Sequence, residues 1–253
     1  MMNIWMITFS PTGGTDKVAK AMAEGLDGQP RELSLLRPLR DGESPEFTSD
    51  DLCLVAMPVY GGRIPSAAAE RLGALRGNGA AAAAIAVYGN REIDDALVEM
   101  EDLLTGCGFR LIAGAEAVAE HSIARQYGAG RPDAEDLKEL KAMGRAIGEK
   151  FSAGDRSCPA LPGNRPYKHF GGGLKPLVDD RCGMCGICAG LCPVEAIPMW
   201  APNTTDVTKC ISCMRCISVC PSHSRYLDPT ALQKLSEHLA PVCAGRKHNR
   251  LYR

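Results

Sequence analysis

Eight of the twelve cysteines in this sequence fall within 39 residues, and their spacing repeats. The first run is Cys182-x2-Cys185-x2-Cys188-x3-Cys192-Pro193, and the second is Cys210-x2-Cys213-x2-Cys216-x3-Cys220-Pro221. Three cysteines at intervals of three let one tight loop offer three thiolates to one face of a metal–sulfur cube, with loop N–H groups turned toward the sulfurs. The fourth cysteine lies where the chain turns away, and the proline after it sets that turn, so it reaches the other cube. The spacing predicts two [4Fe–4S] clusters. Cys182, Cys185, Cys188 and Cys220 hold the first, and Cys210, Cys213, Cys216 and Cys192 hold the second.

Structural zinc is the competing reading. Zinc sites usually pair two C-x2-C units well apart, with four ligands per ion. A tripled C-x2-C-x2-C with a remote Cys-Pro, given twice, does not need zinc to explain it. A radical-enzyme cubane would show C-x3-C-x2-C, and neither Cys188-x3-Cys192 nor Cys216-x3-Cys220 continues to a third cysteine. With all eight ligands used, no iron is open to substrate, which favours electron transfer over chemistry on a cluster. Lys209, Arg215 and Arg181 flank the ligands. Cations near the sulfurs raise a cluster's potential, although a solvated charge is the plainer reading of each. Of the remaining cysteines, Cys53 reads as core, Cys107 and Cys158 have no visible partner, and Cys243 reads as incidental.

A second chemical signature sits near the N-terminus. Ser10-Pro11-Thr12-Gly13-Gly14-Thr15 follows an apolar run and opens a helical one. Its backbone N–H groups and the hydroxyls of Ser10, Thr12 and Thr15 suit a phosphate at a helix N-terminus. It is neither a Walker loop nor G-x-G-x-x-G. A short hydroxyl-rich loop suits a terminal monophosphate such as that of FMN; a plain strand–helix turn is the alternative. Two later loops, Met57–Pro65 (MPVYGGRIP) and Val87–Arg91 (VYGNR), are placed to enclose a flat ring. Tyr60 and Tyr88 are stacking candidates, with simple packing at a strand end the competing reading. His121, in AEHSIA, is by default a solvated or capping histidine; the alternative is a proton donor beside that ring. Asp94 and Asp95 read as the start of a helix, where they favour its dipole.

These loops need elements to position them. Strand-like runs at Asn3–Thr8, Arg31–Leu36, Leu52–Met57, Ala81–Val87 and Phe109–Ala119 alternate with helical stretches at about Thr15–Gly25, Ser66–Leu75, Ile93–Leu104 and Asp133–Phe151. Strands alternating with helices predict right-handed βαβ units and a doubly wound parallel sheet, with ligands at the carboxyl ends of the strands. The expected domains are 1–151, an α/β unit, and 176–228, a small α+β two-cluster unit. Between them runs a Gly/Pro-rich linker, 152–175. A helix at about Pro229–Leu239 and a basic tail, expected to be loosely ordered, fill 229–253. Residues 1–150 carry 23 acids and 16 bases, yet the whole chain has a net charge of −1, which makes no general case for nucleic acid or membrane. No run approaches the eighteen or so apolar residues of a membrane span. The N-terminus lacks a basic segment and cleavage site, so a cytoplasmic location with reduced thiols is the expectation.

Taken together, FSPTGGT, MPVYGGRIP, VYGNREIDDAL, AEHSIA with GRPDAEDL, and the doubled cysteine motif resemble the EFR-family ferrodoxins, in which a flavodoxin-like domain is fused to a bacterial-type two-cluster ferredoxin domain. The likeness runs to about Asp228. It implies a flavodoxin-like five-stranded sheet of order 2-1-3-4-5 bearing FMN. It also implies phosphate contacts from Ser10, Thr12, Gly13, Gly14 and Thr15, and ring contacts from Tyr60, Gly61, Gly62, Tyr88, Gly89 and Asn90. Flavin loops of ordinary flavodoxins tend to be acidic, whereas Arg63 and Arg91 sit in these. A cation there stabilises an anionic reduced flavin and raises its potential.

Three functions fit. The first is an electron carrier linking clusters and FMN and serving redox partner proteins. The second is a flavin-dependent reductase of a small substrate, fed by a partner through the clusters; no nicotinamide fingerprint supports a site of its own. The third is an iron–sulfur sensor or interaction module whose α/β domain is empty. Both cofactors are oxygen-sensitive, which suits an anaerobic or microaerobic host.

Overall fold

The computed structural model describes residues 2–40 and 42–253. The unbroken apolar runs are strands. β1 (Asn3–Thr8), β2 (Arg31–Ser34), β3 (Asp51–Pro58), β4 (Ala81–Tyr88) and β5 (Arg110–Val118) lie parallel in the order β2-β1-β3-β4-β5. Every residue of β3 and β4 is buried, as befits strands covered on both faces. Alternate side chains face opposite ways. Cys53, Val55, Met57, Ala82 and Ala84 join the core under α2 (Ser66–Gly73) and α3 (Ala96–Gly106). Leu52, Leu54, Ala56, Ala83 and Ile85 join the core under α1 (Gly14–Ala23) and α4 (Ala134–Ser152). This is the flavodoxin-like doubly wound sheet, whose ligand crevice lies beyond the strand ends at the β1/β3 switch point.

Glycines bring α1 and α4 together. A Cβ on Gly144 of α4 would stand 1.9 Å from the Met22 carbonyl oxygen, and one on Gly25, just past α1, would stand 2.0 Å from the Lys141 carbonyl oxygen. α4 begins in a capping box. The Asp133 carboxylate accepts the N–H groups of Glu135 and Asp136, and Asp136 reaches back to the Asp133 N–H.

The cysteine module has little regular structure. β6 (Leu177–Val178) pairs antiparallel with β7 (Arg225–Tyr226), and two single-turn helices, α5 (Ile187–Gly190) and α6 (Arg215–Ser218), carry Cys188 and Cys216. The sequence repeat is also a backbone repeat. Cys182 and Cys210 are 28 positions apart. At that same offset, left-handed residues recur in pairs: Met184 with Ser212, Gly186 with Met214, and Glu195 with His223. Five of those six are not glycine, and such conformations persist where surrounding structure enforces them, typically at ligand clamps.

α7 (Pro229–Leu239) follows, started by the Asp228 carboxylate, which accepts the Ala231 N–H at 2.8 Å. The tail then departs from expectation. β8 (Arg250–Tyr252) adds to the sheet antiparallel to β5, pairing Ala115 with Leu251. Polar side chains of the tail are held by acids on α4, its N-cap and β5. Arg246 meets Asp133 at 2.6 Å, Asn249 donates to Asp136 and Glu139, and Tyr252 donates to Glu116. Asp136, fully buried, is also paired with Arg131. The tail is thus a sixth strand, anchored by charge that local sequence reading leaves unassigned.

The close helix approach gives a direct test. Gly144→Ala forces a methyl onto the Met22 carbonyl, and the overpacking should cost about 1–3 kcal/mol. Denaturant melts of the variant should show a lower midpoint with an unchanged slope; an unchanged midpoint would refute the tight α1–α4 contact.

Candidate functional site

The three suspected loops meet beyond the carboxyl ends of β1, β3 and β4. They enclose a cavity of about 380 Å³, within the usual range for small-molecule pockets. Thr12, Gly14, Thr15, Tyr60, Gly61, Gly62, Tyr88 and Gly89 line it, as the sequence leads one to expect. Three other expected residues do not. The Ser10 hydroxyl accepts the Asp16 N–H at 3.0 Å and so serves α1. Gly13 supplies a left-handed turn (φ 88°) with open space where a Cβ would lie, which leaves the N-terminus of α1 clear for an anion. The Asn90 amide, buried, donates to the carbonyls of Cys243 and Gly245. It pins the C-terminal segment instead of facing a ring.

The Gly61-Gly62 turn requires glycine. Both residues are left-handed (φ 60° and 90°), and the backbones of Tyr60 and Arg63 bond across them. A Cβ on Gly61 would fall 1.9 Å from the Phe170 ring, and one on Gly62 would fall 2.2 Å from the Asp94 carboxylate. Burial pushes the Tyr60 phenol well up, and the neighbouring Cys213 adds to the effect. Burial also raises Tyr88, with Glu116 and Glu92 contributing.

The two arginines of these loops separate. Arg63 is turned away from the cavity: its guanidinium makes a two-pronged pair with Glu99 at 2.7 Å on each prong and stacks on Tyr167. Arg91 lines the cavity and pairs with Asp94. His121 also lines it, in space left by Gly89, whose Cβ would lie 2.7 Å from the imidazole. Its Nδ1 accepts the N–H groups of Ile123 and Ala124, both at 3.1 Å. It therefore caps a turn, and the neutral ring carries its proton on Nε2. Asp95 does not cap α3 with its side chain. It accepts the N–H groups of Asn164 and Lys168 and fastens the linker.

Parts of the cavity wall come from far along the chain. Phe170 and Gly173 of the linker, Ile211 and Ser212 of the second cysteine loop, and Leu235 and Leu239 of α7 all contribute. The Gly171-Gly172-Gly173 run was the available sequence signal for a close approach: a Cβ on Gly173 would lie 3.1 Å from that of Ser212.

The four cysteines expected to hold the second cluster lie close together. Cys192, Cys210, Cys213 and Cys216 line one small void. Among the described residues, no three His, Cys, Asp or Glu side chains close on a single ion position, and these four thiols surround a space. Burial drives the Cys213 thiol up to about 12, with Cys216, Cys192 and Cys210 adding to it and the Arg215 N–H opposing. Cys216 rises to about 11, by burial first, with Cys210, Cys188 and Cys192 adding and Arg225 opposing. Metal binding to thiols such as Cys213 and Cys216, which resist ionisation, would release their protons and claim the thiolates.

In the first set, Cys220 differs. Burial opposes its ionisation, but the hydroxyls of Ser224 and Ser222 and the N–H groups of Arg225 and Ser224 prevail and bring it to about 6. Arg225 is buried, and its Nε donates to the Cys188 sulfur at 3.1 Å, while Thr205, Pro202 and Thr204 take its remaining donors. The spacing rules did not single it out. Of the flanking cations that they did, Lys209 is exposed and Arg181 pairs with Asp179. Arg215 reaches the glycine loop, donating to the Pro11 carbonyl at 2.6 Å.

A sequence model of the 4Fe-4S binding domain matches residues 204–225, the stretch that holds Cys210, Cys213, Cys216 and Cys220. The chain thus joins a flavodoxin-like sheet to a 4Fe–4S binding segment. No curated protein matches it. Among solved structures it is similar to a flavodoxin from the domain Archaea, at 15% identity over 60% of this chain and 99% of that one, with a TM-score of 0.40. It is similar to flavodoxin 2 from Bacillus cereus, at 17% identity over 59% and 99% of the two chains, with a TM-score of 0.44. It also resembles the rubredoxin oxygen:oxidoreductase of the anaerobe Desulfovibrio gigas, at 18% identity over 60% of this chain but 36% of that one, with a TM-score of 0.42. No helix among the described residues is long and apolar enough to cross a membrane.

His121 supplies the test of the cavity's electrostatics. Burial, and then Arg91, lower it from 6.5 to about 4. As pH falls below about 6.5, the unfolded chain binds a proton that the folded chain refuses, so this group subtracts stability down to about 4. Histidine titration by NMR should find His121 neutral, with its proton on Nε2, at pH 6. A midpoint at or above 6.5 would contradict this description.

Proposed function

We propose that this chain is an electron carrier that passes electrons between two [4Fe–4S] clusters and a bound FMN. The observation that carries the reading is a shared wall: Ile211 and Ser212 of the second cysteine loop line the glycine-loop cavity, and the next residue, Cys213, acts on the phenol of Tyr60. A ring in the cavity and a cluster in the second cage would be neighbours by construction. The second cluster is then nearest the flavin, held by Cys210, Cys213, Cys216 and Cys192. The first, on Cys182, Cys185, Cys188 and Cys220, meets partner proteins. Cys185 is exposed there, as are Met184, Met199 and Trp200.

FMN would place its phosphate against the N-terminus of α1, with Thr12, Gly13, Gly14 and Thr15, and its ring among Tyr60, Gly61, Gly62, Tyr88 and Gly89. The linker and α7 cover the cavity with Phe170, Leu235 and Leu239. That cover favours a carrier, which needs no substrate access, over a reductase. In this reading 1–151 and 176–228 are the flavin and cluster modules, 152–175 ties them together, and 229–253 closes the first. A reducing cytoplasm suits the free thiols.

The test is anaerobic purification with iron, sulfide, zinc and flavin counted per chain. About eight iron and about one FMN are expected; zinc in the cages, or clusters without flavin, defeats the reading. In the same material, Cys192→Ala and Cys213→Ala should erase one and the same cluster signal in EPR, and Cys220→Ala the other. A Cys192 variant that removes the first signal breaks the interleaved assignment.

The cavity arginine is tested separately. Arg91→Ala should lower the flavin midpoint, because a cation beside the reduced ring is lost. Arg63→Ala should leave it in place, because that guanidinium is turned out of the cavity toward Glu99 and Tyr167. Equal effects in a spectroelectrochemical titration would reject the distinction.

A further inference from the structure

Among the described residues, two buried side-chain nitrogen or oxygen atoms lack a hydrogen-bond partner: Ser212 Oγ and Arg215 Nε. Both belong to the second cysteine loop. Orphaned polar atoms are rare in folded chains and signal a missing partner. Two in one loop mark the place where a loaded protein holds something more.

Arg215 stands between two sites. It lines the void ringed by Cys192, Cys210, Cys213 and Cys216. Its other end donates from Nη1 to the carbonyl of Pro11 at 2.6 Å, and Pro11 lines the glycine-loop cavity. The loop fold itself does not demand an arginine here. At the 28-residue offset, the equivalent position in the first repeat is Ile187, apolar and 42% exposed. The same module shows what such a nitrogen does when its partner is a protein sulfur: Arg225 Nε donates to Cys188 Sγ at 3.1 Å. Arg215 Nε lacks a partner of that kind, as a donor meant for a sulfur of the bound cluster would.

We propose that Arg215 couples the second cage to the flavin loop. Its Nε–H donates to a sulfur of the cluster, and its Nη1 holds the Pro11 carbonyl. The bond and the charge draw electron density from the cluster and raise its potential. The same planar fork fixes the loop that cradles the flavin phosphate, a geometry that an ammonium cannot reproduce at both ends. This rests on the reading that the cages hold clusters and the cavity holds FMN.

The experiment compares the full chain, purified anaerobically, with Arg215→Met, Arg215→Lys and the control Arg181→Met, whose guanidinium is exposed and paired with Asp179. EPR-monitored redox titration reads each cluster, and flavin fluorescence reads the FMN dissociation constant. Arg215→Met should keep its iron, move one cluster potential negative while the other stays, and raise the FMN dissociation constant roughly tenfold, the worth of one charged hydrogen bond. Arg181→Met should move neither cluster-two potential nor flavin affinity. Lysine should restore at most one of the two effects. Unchanged potentials and affinity in Arg215→Met, equal movement of both clusters, or full rescue of both readouts by lysine would each overturn the coupling. If the methionine variant loses iron, the lysine variant is judged in its place: one displaced potential or a weakened flavin supports the coupling, and neither refutes it. A wild-type chain without clusters or flavin defeats the underlying reading; a loaded wild type beside an unmoved Arg215→Met defeats only the coupling.

Discussion

Gathering thiols around one small void is the constraint on which the rest of this structure depends. Cys192, Cys210, Cys213 and Cys216 line one small void, where burial raises the thiols of Cys213 and Cys216 and the neighbouring cysteines add to the rise. The module around them has little else to hold it: a two-residue ribbon, two single helical turns, and a buried cluster of Cys188, Ala189 and Ile197. A core of that size does not stabilise fifty residues. Five strained non-glycine residues recur at matching places in the two loops. A metal–sulfur centre that claims the thiolates would supply the missing free energy, since binding to a site absent from the unfolded chain is folding free energy.

The larger domain supplies the other support. Its arginines donate to carbonyls of the cysteine module: Arg37 to Gly190 at 2.8 Å, and Arg71 to Pro193. Gly190 ends α5, where a cation meets the negative end of a helix. In return, Arg215 donates to Pro11, and Ile211 and Val194 pack against the core of the sheet. Lys175, at the end of the linker, donates to the Cys210 carbonyl. Donors on arginine and acceptors on tight turns make a joint of fixed geometry, because each carbonyl fixes one direction of a planar fork. The two redox sites proposed above would need such a joint, since play between the modules would change the gap between them.

How much of this was legible depended on the range of the interaction. β3 and β4 were legible because a strand covered on both faces must be apolar throughout. The meeting of Cys192 with Cys210, Cys213 and Cys216 at one void follows from the spacing and the turn after each motif. What sequence did not disclose was pairing across distance. Arg63 and Arg91 look alike in their loops, yet Glu99, 36 residues on, takes one of them out of the cavity. Asn90 sits in the Val87–Arg91 loop expected to hold a ring, but its amide is taken by the carbonyls of Cys243 and Gly245. The tail reads as loose because three residues of β8 carry no strand signal; its anchors are Asp133, Asp136 and Glu116, distant in the chain. Arg225 lies beyond the second motif, and only the fold lays it on Cys188.

The cavity's cover bears on what kind of redox site this is. Three segments remote in sequence close it: the linker through Phe170, the second cysteine loop through Ser212, and α7 through Leu239. The closing pieces are themselves tied down. Tyr127 donates to the Ser236 carbonyl of α7 at 2.6 Å, and Asn90 holds the chain just beyond it. A lid that admits substrate must give way at modest cost, and such segments come from the least stable parts of a fold. Here the α7 part of the cover, Leu235 and Leu239, is packed into one small core with Ala124 and Cys243. Opening it would break that core and the bonds that hold the C-terminal segment to the sheet. Electron transfer, the function proposed above, needs no such opening.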